Sequence, residues 1–188
     1  MSDIRGFIFN CMLAENELDE LSKTGTVSGR KLSTEILRVI ETDFNPLIWN
    51  NAEKMSSIYR ALFCIENTIR IFIVDRLAER KGIDWWEECV PKKIKDEVNR
   101  LKEGEQKNKY LSSRSQTNIG YTMLGNLSQI IISNWDEFSD MIPDQAWLNS
   151  RMTDLEKCRN VIMHTGSLTE YDIDRIENII RDILRQIG

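Results

Sequence analysis

A long run of helical periodicity, from Asn51 to Arg80, limits the folds that this chain can adopt. Its apolar residues recur every three or four positions, the spacing that puts side chains on one face of an α-helix. Gly82 follows the run, where a glycine commonly ends a helix. The apolar stripe consists of Ile58, Leu62, Ile65, Ile69, Phe72, Ile73 and Leu77. The pattern predicts one long central helix with a buried face.

The same period recurs in shorter segments on both sides of the long run. Pro46 is expected to end the helix over residues 33–43, and Pro91 suits the first turn of the helix over residues 92–102. Residues 107–121 are polar and predict a mobile connection. Further helices are predicted over residues 4–21, 33–43, 92–102, 123–135 and 143–162, with a last helix that closes the chain.

Two signals mark the turn between the last two predicted helices. Thr165-Gly166 ends the first helix, because glycine accepts the left-handed conformation that a helix C-terminus often needs. Ser167-Leu-Thr-Glu170 has the pattern of a capping box and starts the second helix. The C-terminus is therefore predicted to be a two-helix hairpin.

Composition supports an all-α fold. Three prolines and nine glycines interrupt 188 residues, of which 41% are hydrophobic and 29% charged, as in a globular domain. No segment alternates at period two for long enough to demand a β-strand. No run of about 18 apolar residues occurs and the N-terminus lacks the pattern of a signal peptide. We therefore expect a cytoplasmic protein without a membrane span.

Cysteine and histidine usage argues against a metal centre. Four cysteines are spread along the chain without a C-x-x-C pair and His164 is the only histidine, so we expect no metal site. No glycine-rich phosphate loop occurs, and we expect no bound cofactor. The net charge of −5 argues against a protein that coats nucleic acid non-specifically, although it is compatible with a local basic cleft.

The single histidine lies close to an arginine and an asparagine. His164 follows Asn160 by four residues, which turn a helix by about 400°, so these two share a face. Arg159 is offset from His164 by about 140°, so its long side chain either reaches around to the same group or serves a site shared with a second copy. An imidazole can remove the proton of an RNA 2′-hydroxyl or give one to the leaving 5′-oxygen, while a guanidinium and an amide hold the phosphate. The alternative is structural, with His164 satisfying carbonyls at a helix end and Asn160 an ordinary surface amide.

The segment Cys158-Arg-Asn-Val-Ile-Met-His164 resembles the Arg-x4–6-His motif of the HEPN superfamily, which often has Asn after the Arg. Further similarity lies in Tyr59-Arg-Ala-Leu-Phe-Cys-Ile-Glu-Asn-Thr-Ile-Arg70, Trp85, Pro91 and Asn134-Trp135-x-x-Phe138. Together these look like the HEPN branch found beside a PIN nuclease domain in eukaryotic nuclear RNA surveillance and as stand-alone bacterial proteins. The similarity covers residues 52–187.

The resemblance implies an up-and-down helical bundle of HEPN type. The bundle would occupy residues 51–188, and residues 1–50 would form an additional N-terminal helical extension. The resemblance also implies that two copies pair as a homodimer, so that their Arg-His motifs face each other across one composite site.

The resemblance also implies roles for individual residues. Arg159 and His164 would be catalytic, and Asn160 would support them. Glu66 and Arg70, four residues apart on the long helix, would be candidates for residues that contact and orient the catalytic side chains. The alternative for Glu66 and Arg70 is an ion pair that orders the bundle.

The implied function is a metal-independent endoribonuclease that cleaves RNA through attack of the 2′-hydroxyl, as a toxin or an anti-phage defence effector. Its partners would be the RNA substrate, a second copy of the chain and an antitoxin or regulatory protein. Some HEPN proteins have lost cleavage, so the alternative is a non-catalytic dimeric module that binds RNA or a partner protein and regulates another nuclease. Replacing His164 by alanine separates the two, because only the first depends on the imidazole.

Overall fold

The structure, a computed structural model, describes residues 43–108 and 110–188 of the chain. The N-terminal extension predicted for residues 1–50 lies outside these ranges up to residue 42. The helix predicted over residues 4–21 and nearly all of that predicted over 33–43 fall there as well. The boundary at residue 50 therefore stays a prediction.

Six α-helices account for most of the described residues, which contain no β-strand. The helices are α1 (Pro46–Lys81), α2 (Trp85–Cys89), α3 (Lys92–Gln106), α4 (Leu124–Ser133), α5 (Gln145–Met163) and α6 (Glu170–Ile187). Two short 3-10 turns, Ile119–Tyr121 and Trp135–Glu137, lie before and after α4. The prediction of an all-α fold is confirmed. Within the described ranges, no helix combines the length and the apolar character needed to cross a bilayer.

Helix α1 begins five residues earlier than predicted, with Pro46 as its first residue. Proline suits that position, where its missing N–H would have no partner within the helix. The side chain of Asn45 accepts a hydrogen bond from the backbone N–H of Leu47 at 2.9 Å, as an N-cap residue does. At the other end Gly82 has a φ of 83°, so the predicted glycine end of the helix is confirmed.

The buried face of α1 follows the predicted stripe. It consists of Met55, Ile58, Leu62, Ile65, Ile69, Ile73 and Leu77, with Phe72 half-buried at its edge. These side chains form one core with residues of the later helices, in which α4 packs against α5 and α5 against α6. Residues 54–187 make one compact unit, which contains the core and the site. Glu66 lies within the buried face although it is acidic, with 8% of its surface exposed.

The connection between α3 and α4 ends in a turn that belongs to the core. Ile119 and Tyr121 are buried, and the Tyr121 hydroxyl donates to Oε2 of Glu105 at 3.0 Å. The backbone N–H of Arg114 donates to the same oxygen at 3.1 Å, and this bond lowers the pKa of Glu105. Burial raises the pKa of Tyr121. The prediction of a mobile polar connection is therefore wrong for its last residues, which pack against the bundle.

Helix α6 begins two residues later than the pattern at Ser167 predicts. Leu168 is buried and its backbone N–H donates to Sδ of Met55 at 3.4 Å, which keeps this part of the chain outside the helix. The capping box is formed instead by Thr169 and Asp172, whose side chains accept hydrogen bonds from each other's backbone N–H at 3.3 and 3.0 Å. Hydrogen bonds from Thr169 lower the pKa of Asp172.

Candidate active site

The Arg-Asn-x-x-x-His motif lies at the C-terminal end of α5, where His164 is the C-cap residue. The backbone N–H of His164 donates to the carbonyl of Asn160 at 3.1 Å, which holds the two residues one turn apart. Both side chains are exposed, so their predicted shared face is accessible to a ligand. The imidazole forms no hydrogen bond with any other residue of the described ranges, so it does not satisfy terminal carbonyls there.

The turn after His164 has the hydrogen bonds of a Schellman motif. The N–H of Thr165 donates to the carbonyl of Ile162 at 3.0 Å, and that of Gly166 to the carbonyl of Val161 at 2.8 Å. Thr165, with a φ of 60°, occupies the left-handed position, so the prediction that Gly166 occupies it is wrong. Glycine is required at 166 because a Cβ there would lie 2.8 Å from Cγ1 of Val161. A β-branched residue in the left-handed region costs about 1–2 kcal/mol, and this strain lies next to the histidine.

Arg159 is directed away from this exposed face and toward α1. Its Nε lies 3.6 Å from Oε2 of Glu66, and this ion pair joins α5 to α1. Its Nη1 donates a long hydrogen bond, 3.5 Å, to Oδ1 of Asn160. The side chain of Arg159 is 29% exposed and that of Glu66 11% exposed, so solvent screens this pair less than a surface salt bridge.

Glu66 is shared between two guanidinium groups. Nη2 of Arg70 donates to Oε1 of Glu66, while Arg159 pairs with Oε2. Arg70 is held further by hydrogen bonds from Nη2 to the carbonyl oxygen of Thr122 at 2.7 Å and from Nη1 to Oδ1 of Asn67 at 3.1 Å. A carboxylate is stable in a buried position when its charge is compensated in this way. The i,i+4 pair predicted from the sequence therefore turns inward, toward the motif.

A cleft of about 370 Å³ opens beside this network. It is bounded by the exposed aromatic side chains of α1, the 3-10 turn before α4 and the end of α5. The residues that line it are Tyr59, Leu62, Phe63, Glu66, Asn67, Arg70, Arg114, Gly120, Tyr121, Thr122, Met123, Arg159 and Met163. Asn160 and His164 do not line the cleft, so Arg159 and His164 of one copy face different surfaces.

Two contributors to the site carry little signal in the sequence. Thr122 acts through its backbone carbonyl, a group that every residue has, so its type could not have identified it. Arg114 lies in the polar connection among charges of both signs, which predict a solvated segment. Its position over the Tyr121 ring, 5.7 Å from the ring centroid, depends on the packing of the turn.

A family model for Swt1-like HEPN domains matches residues 60–188. The matched residues make up more than half of the chain and include the motif on α5. The chain belongs to the Swt1-like HEPN family. A search of curated proteins and a search of solved structures each found no match. The match to the family model confirms the resemblance to the HEPN superfamily.

In this Swt1-like HEPN domain the fold brings Arg159, Glu66 and Arg70 into one network at the edge of a cleft. The exposed imidazole of His164 lies on the same helix end but outside the cleft. Chemically, the guanidinium groups are suited to hold a phosphate and the imidazole to exchange protons. The predicted site residues thus fall into two sets. Arg159, Glu66 and Arg70 form the partly buried network, and Asn160 and His164 are exposed.

Proposed function

We propose that this HEPN domain is a metal-independent endoribonuclease in which Arg159 binds the scissile phosphate and His164 transfers protons. The 2′-oxygen of the RNA attacks the adjacent phosphorus, the bond to the 5′-oxygen breaks, and a 2′,3′-cyclic phosphate remains. His164 takes the proton of the 2′-hydroxyl or gives one to the leaving 5′-oxygen. Arg159 stabilises the negative charge that develops on the phosphoryl oxygens, and Asn160 helps to orient the Arg159 guanidinium.

The observation that carries the proposal is the ion pair between Arg159 and Glu66. It holds the guanidinium at a cleft beside the helix end that presents His164. Arg159 and Arg70 share the single carboxylate of Glu66, so one positive charge is left in the network for a phosphate. Arg114 lines the same cleft and adds a second cation, although Glu105 pairs with it. A chain with a net charge of −5 can in this way present a local site for an anion.

We place the complete site between two copies of the chain. One copy supplies a single imidazole, whereas separate acid and base roles are easiest with two. The exposed end of α5 supports pairing, because Val161 and Met163, between the arginine and the histidine of the motif, are apolar and 39% and 50% exposed. A homodimer that covers this end would bring His164 of each copy to the cleft region of the other.

The same activity suits a toxin or an anti-phage effector that cuts tRNA or mRNA and is restrained by an antitoxin or another regulatory protein. Under this proposal, expression of the wild-type chain arrests growth and expression of His164→Ala does not. Growth arrest by both would assign the toxicity to something other than RNA cleavage.

A non-catalytic module is the second candidate, and the exposed apolar rim of the cleft favours it. Tyr59, Phe63 and Met163 line the cleft and are 42%, 57% and 50% exposed. Apolar side chains grouped at a surface often mark a site for a partner protein. On this candidate the domain would regulate another nuclease, and His164→Ala would leave the binding of that partner intact.

Cleavage of a mixed RNA pool separates the two candidates. Purified full-length protein is incubated with tRNA and mRNA in the presence of EDTA, and the products are sequenced by a protocol that captures cyclic-phosphate ends. Cuts that are made by the wild type and lost in His164→Ala support the nuclease. A folded, dimeric wild type that makes no cuts would overturn the proposal in favour of the regulatory module.

A further inference from the structure

A second cleft, of about 500 Å³, adjoins the Arg159 cleft. The two clefts share Asn67, Arg70 and Gly120 as lining residues, so they are neighbours that meet at Arg70. The motif does not use the second cleft, whose walls differ in character from those of the first. We call it the tryptophan cleft, after Trp85 and Trp86, which line it.

One wall of the tryptophan cleft is aromatic and apolar. Trp85 and Trp86 lie edge to face, with ring centroids 5.6 Å apart and an angle of 81° between their planes. Each ring is only partly buried, and Ile71 on α1 extends the wall with 58% of its surface exposed. Two rings at this angle give a planar ligand one ring face to stack on and one ring edge to contact.

The opposite wall is polar and comes from the connection before α4. It is lined by Ser115 and Thr117, whose hydroxyl groups hydrogen-bond to each other at 3.3 Å, and by Asn118. Oδ1 of Asn118 accepts a hydrogen bond from Nζ of Lys102, and its amide nitrogen donates to no residue of the described ranges. Glycine at position 120 allows the backbone to lie close to Ser115, because a Cβ there would be 2.0 Å from Oγ of Ser115.

The charges of the two clefts match the two parts of a nucleotide. The Arg159 cleft is lined by Arg70, Arg114 and Arg159 and by the carboxylate of Glu66, while Glu105 pairs with Arg114, so one positive charge remains uncompensated. The tryptophan cleft contains Arg70 at the shared boundary and Asp75 at an exposed position, and is otherwise neutral and aromatic. A phosphate suits the first environment and a planar, uncharged base suits the second.

We propose that the tryptophan cleft binds an unpaired nucleobase of the RNA strand whose phosphate lies in the Arg159 cleft. The inference rests on the proposed function for the identity of the strand as RNA. The base stacks on Trp85 or Trp86, and its edge meets the hydroxyl and amide groups of the opposite wall. A base in a double helix is covered on both faces and paired along its edge, so the cleft selects single-stranded or looped RNA.

Binding is tested with a charge introduced inside the cleft and the same charge introduced outside it. Ile71→Glu places a carboxylate at the exposed aromatic wall, whereas Ile83→Glu places one at a residue that is 93% exposed and does not line the cleft. Because both positions are exposed, neither change is expected to unfold the bundle. Trp85→Ala, with its helical content checked by circular dichroism, removes a stacking surface directly.

Affinities are measured by fluorescence anisotropy in EDTA, with a labelled single-stranded oligoribonucleotide and with the same strand annealed to its complement. All variants carry His164→Ala in addition, so the RNA stays intact. We expect Ile71→Glu and folded Trp85→Ala to bind the single strand roughly tenfold more weakly than the parent and Ile83→Glu to bind as the parent does. The duplex should bind more weakly than the single strand.

The outcomes distinguish this inference from the proposed function. Equal affinities for Ile71→Glu and Ile83→Glu, or a parent that binds no oligoribonucleotide, would overturn the base-binding cleft even if the wild type cuts RNA. A selective loss in Ile71→Glu, found together with a wild type that makes no cuts, would support the cleft and reject the nuclease.

Discussion

Arg159 near the end of α5 forms an ion pair with Glu66 in the middle of α1, with 3.6 Å between Nε and Oε2. Because Glu66 also accepts a hydrogen bond from Arg70, the orientation of the motif arginine depends on a carboxylate from the central helix. The network therefore connects the stability of the bundle to the position of the group that we propose to bind phosphate.

Removing the charge of Glu66 should destabilise the protein and weaken cleavage together. Glu66→Gln leaves Arg70 and Arg159 side by side, with their side chains 15% and 29% exposed, without a carboxylate to compensate them. We expect the free energy of unfolding to fall by about 2–3 kcal/mol, as urea denaturation would measure. Cleavage should slow because the guanidinium of Arg159 loses its orientation.

The matched control is Glu79→Gln, which removes the same charge from an exposed position of α1. Its free energy of unfolding should change by less than about 0.5 kcal/mol. If Glu66→Gln proves as stable as this control, the shared carboxylate does not hold the network together.

Replacing Arg159 by lysine keeps the positive charge but removes the planar fork that can hold a phosphate through two hydrogen bonds. We expect Arg159→Lys to fold normally and to cleave RNA more slowly by roughly a hundredfold, a loss of about 2.7 kcal/mol in transition-state stabilisation. Arg181→Lys on α6, where the side chain is 64% exposed, serves as the control in the same rate assay. Equal rates for the two variants would mean that charge alone suffices at position 159.

Two substitutions at neighbouring positions in the turn after His164 should change the free energy of unfolding in opposite directions. Thr165→Gly relieves the left-handed strain at a φ of 60°, and we expect it to raise the free energy of unfolding by about 0.5–1 kcal/mol. Gly166→Ala puts a Cβ 2.9 Å from the carbonyl oxygen of Val161, and we expect it to lower that free energy by more than about 1 kcal/mol. Thermal unfolding followed by circular dichroism measures both.

The opposite order of stability would mean that Thr165 is not strained and that position 166 has room for a Cβ. In that case the Schellman geometry described for the helix end would be wrong.

Acid should destabilise the contact between α1 and the turn after α4. A hydrogen bond from Lys81 lowers the pKa of Glu137 below its ordinary value of 4.5, and Arg80 acts in the same direction. The stabilisation that the Glu137 carboxylate gives the folded state is therefore complete above the pKa that this group has in the unfolded chain. It is lost as the pH falls through the lower pKa that Glu137 has in the folded state. The melting temperature should fall below about pH 5, and less steeply in Glu137→Gln. Asp136→Asn, a change at the exposed neighbour, should keep the wild-type slope.

The sequence predicted those parts of the fold that follow from local periodicity. The stripe of α1 and the glycine end at Gly82 depend on spacing and on backbone freedom, and both are visible in one chain. The start of α6 was not predictable in this way. Ser167-x-x-Glu170 and Thr169-x-x-Asp172 are both capping patterns, and the burial of Leu168 selects the second.

The candidate site was predictable in its residue types but not in its arrangement. Glu66 and Arg70 are four residues apart, a spacing that is compatible with a surface salt bridge or with an inward pair. The choice is made by contacts distant in sequence, those of Arg159 and of the Thr122 carbonyl. The helical angle between Arg159 and His164 is visible in the sequence, but it leaves open whether the long side chain of Arg159 reaches around to His164. The contact of Arg159 with Glu66 decides that it does not.

The central claim is that the 2′-hydroxyl of RNA is the nucleophile, and its most direct test removes that hydroxyl alone. A cleavage position is first mapped on an oligoribonucleotide, and the wild-type protein is then given, in EDTA, the same strand with one 2′-deoxynucleotide immediately before the cut bond. The account predicts that cleavage at this bond is lost while the affinity for the strand and cuts elsewhere are retained. Continued cleavage at the deoxy position would contradict 2′-hydroxyl attack and with it the roles given to Arg159 and His164.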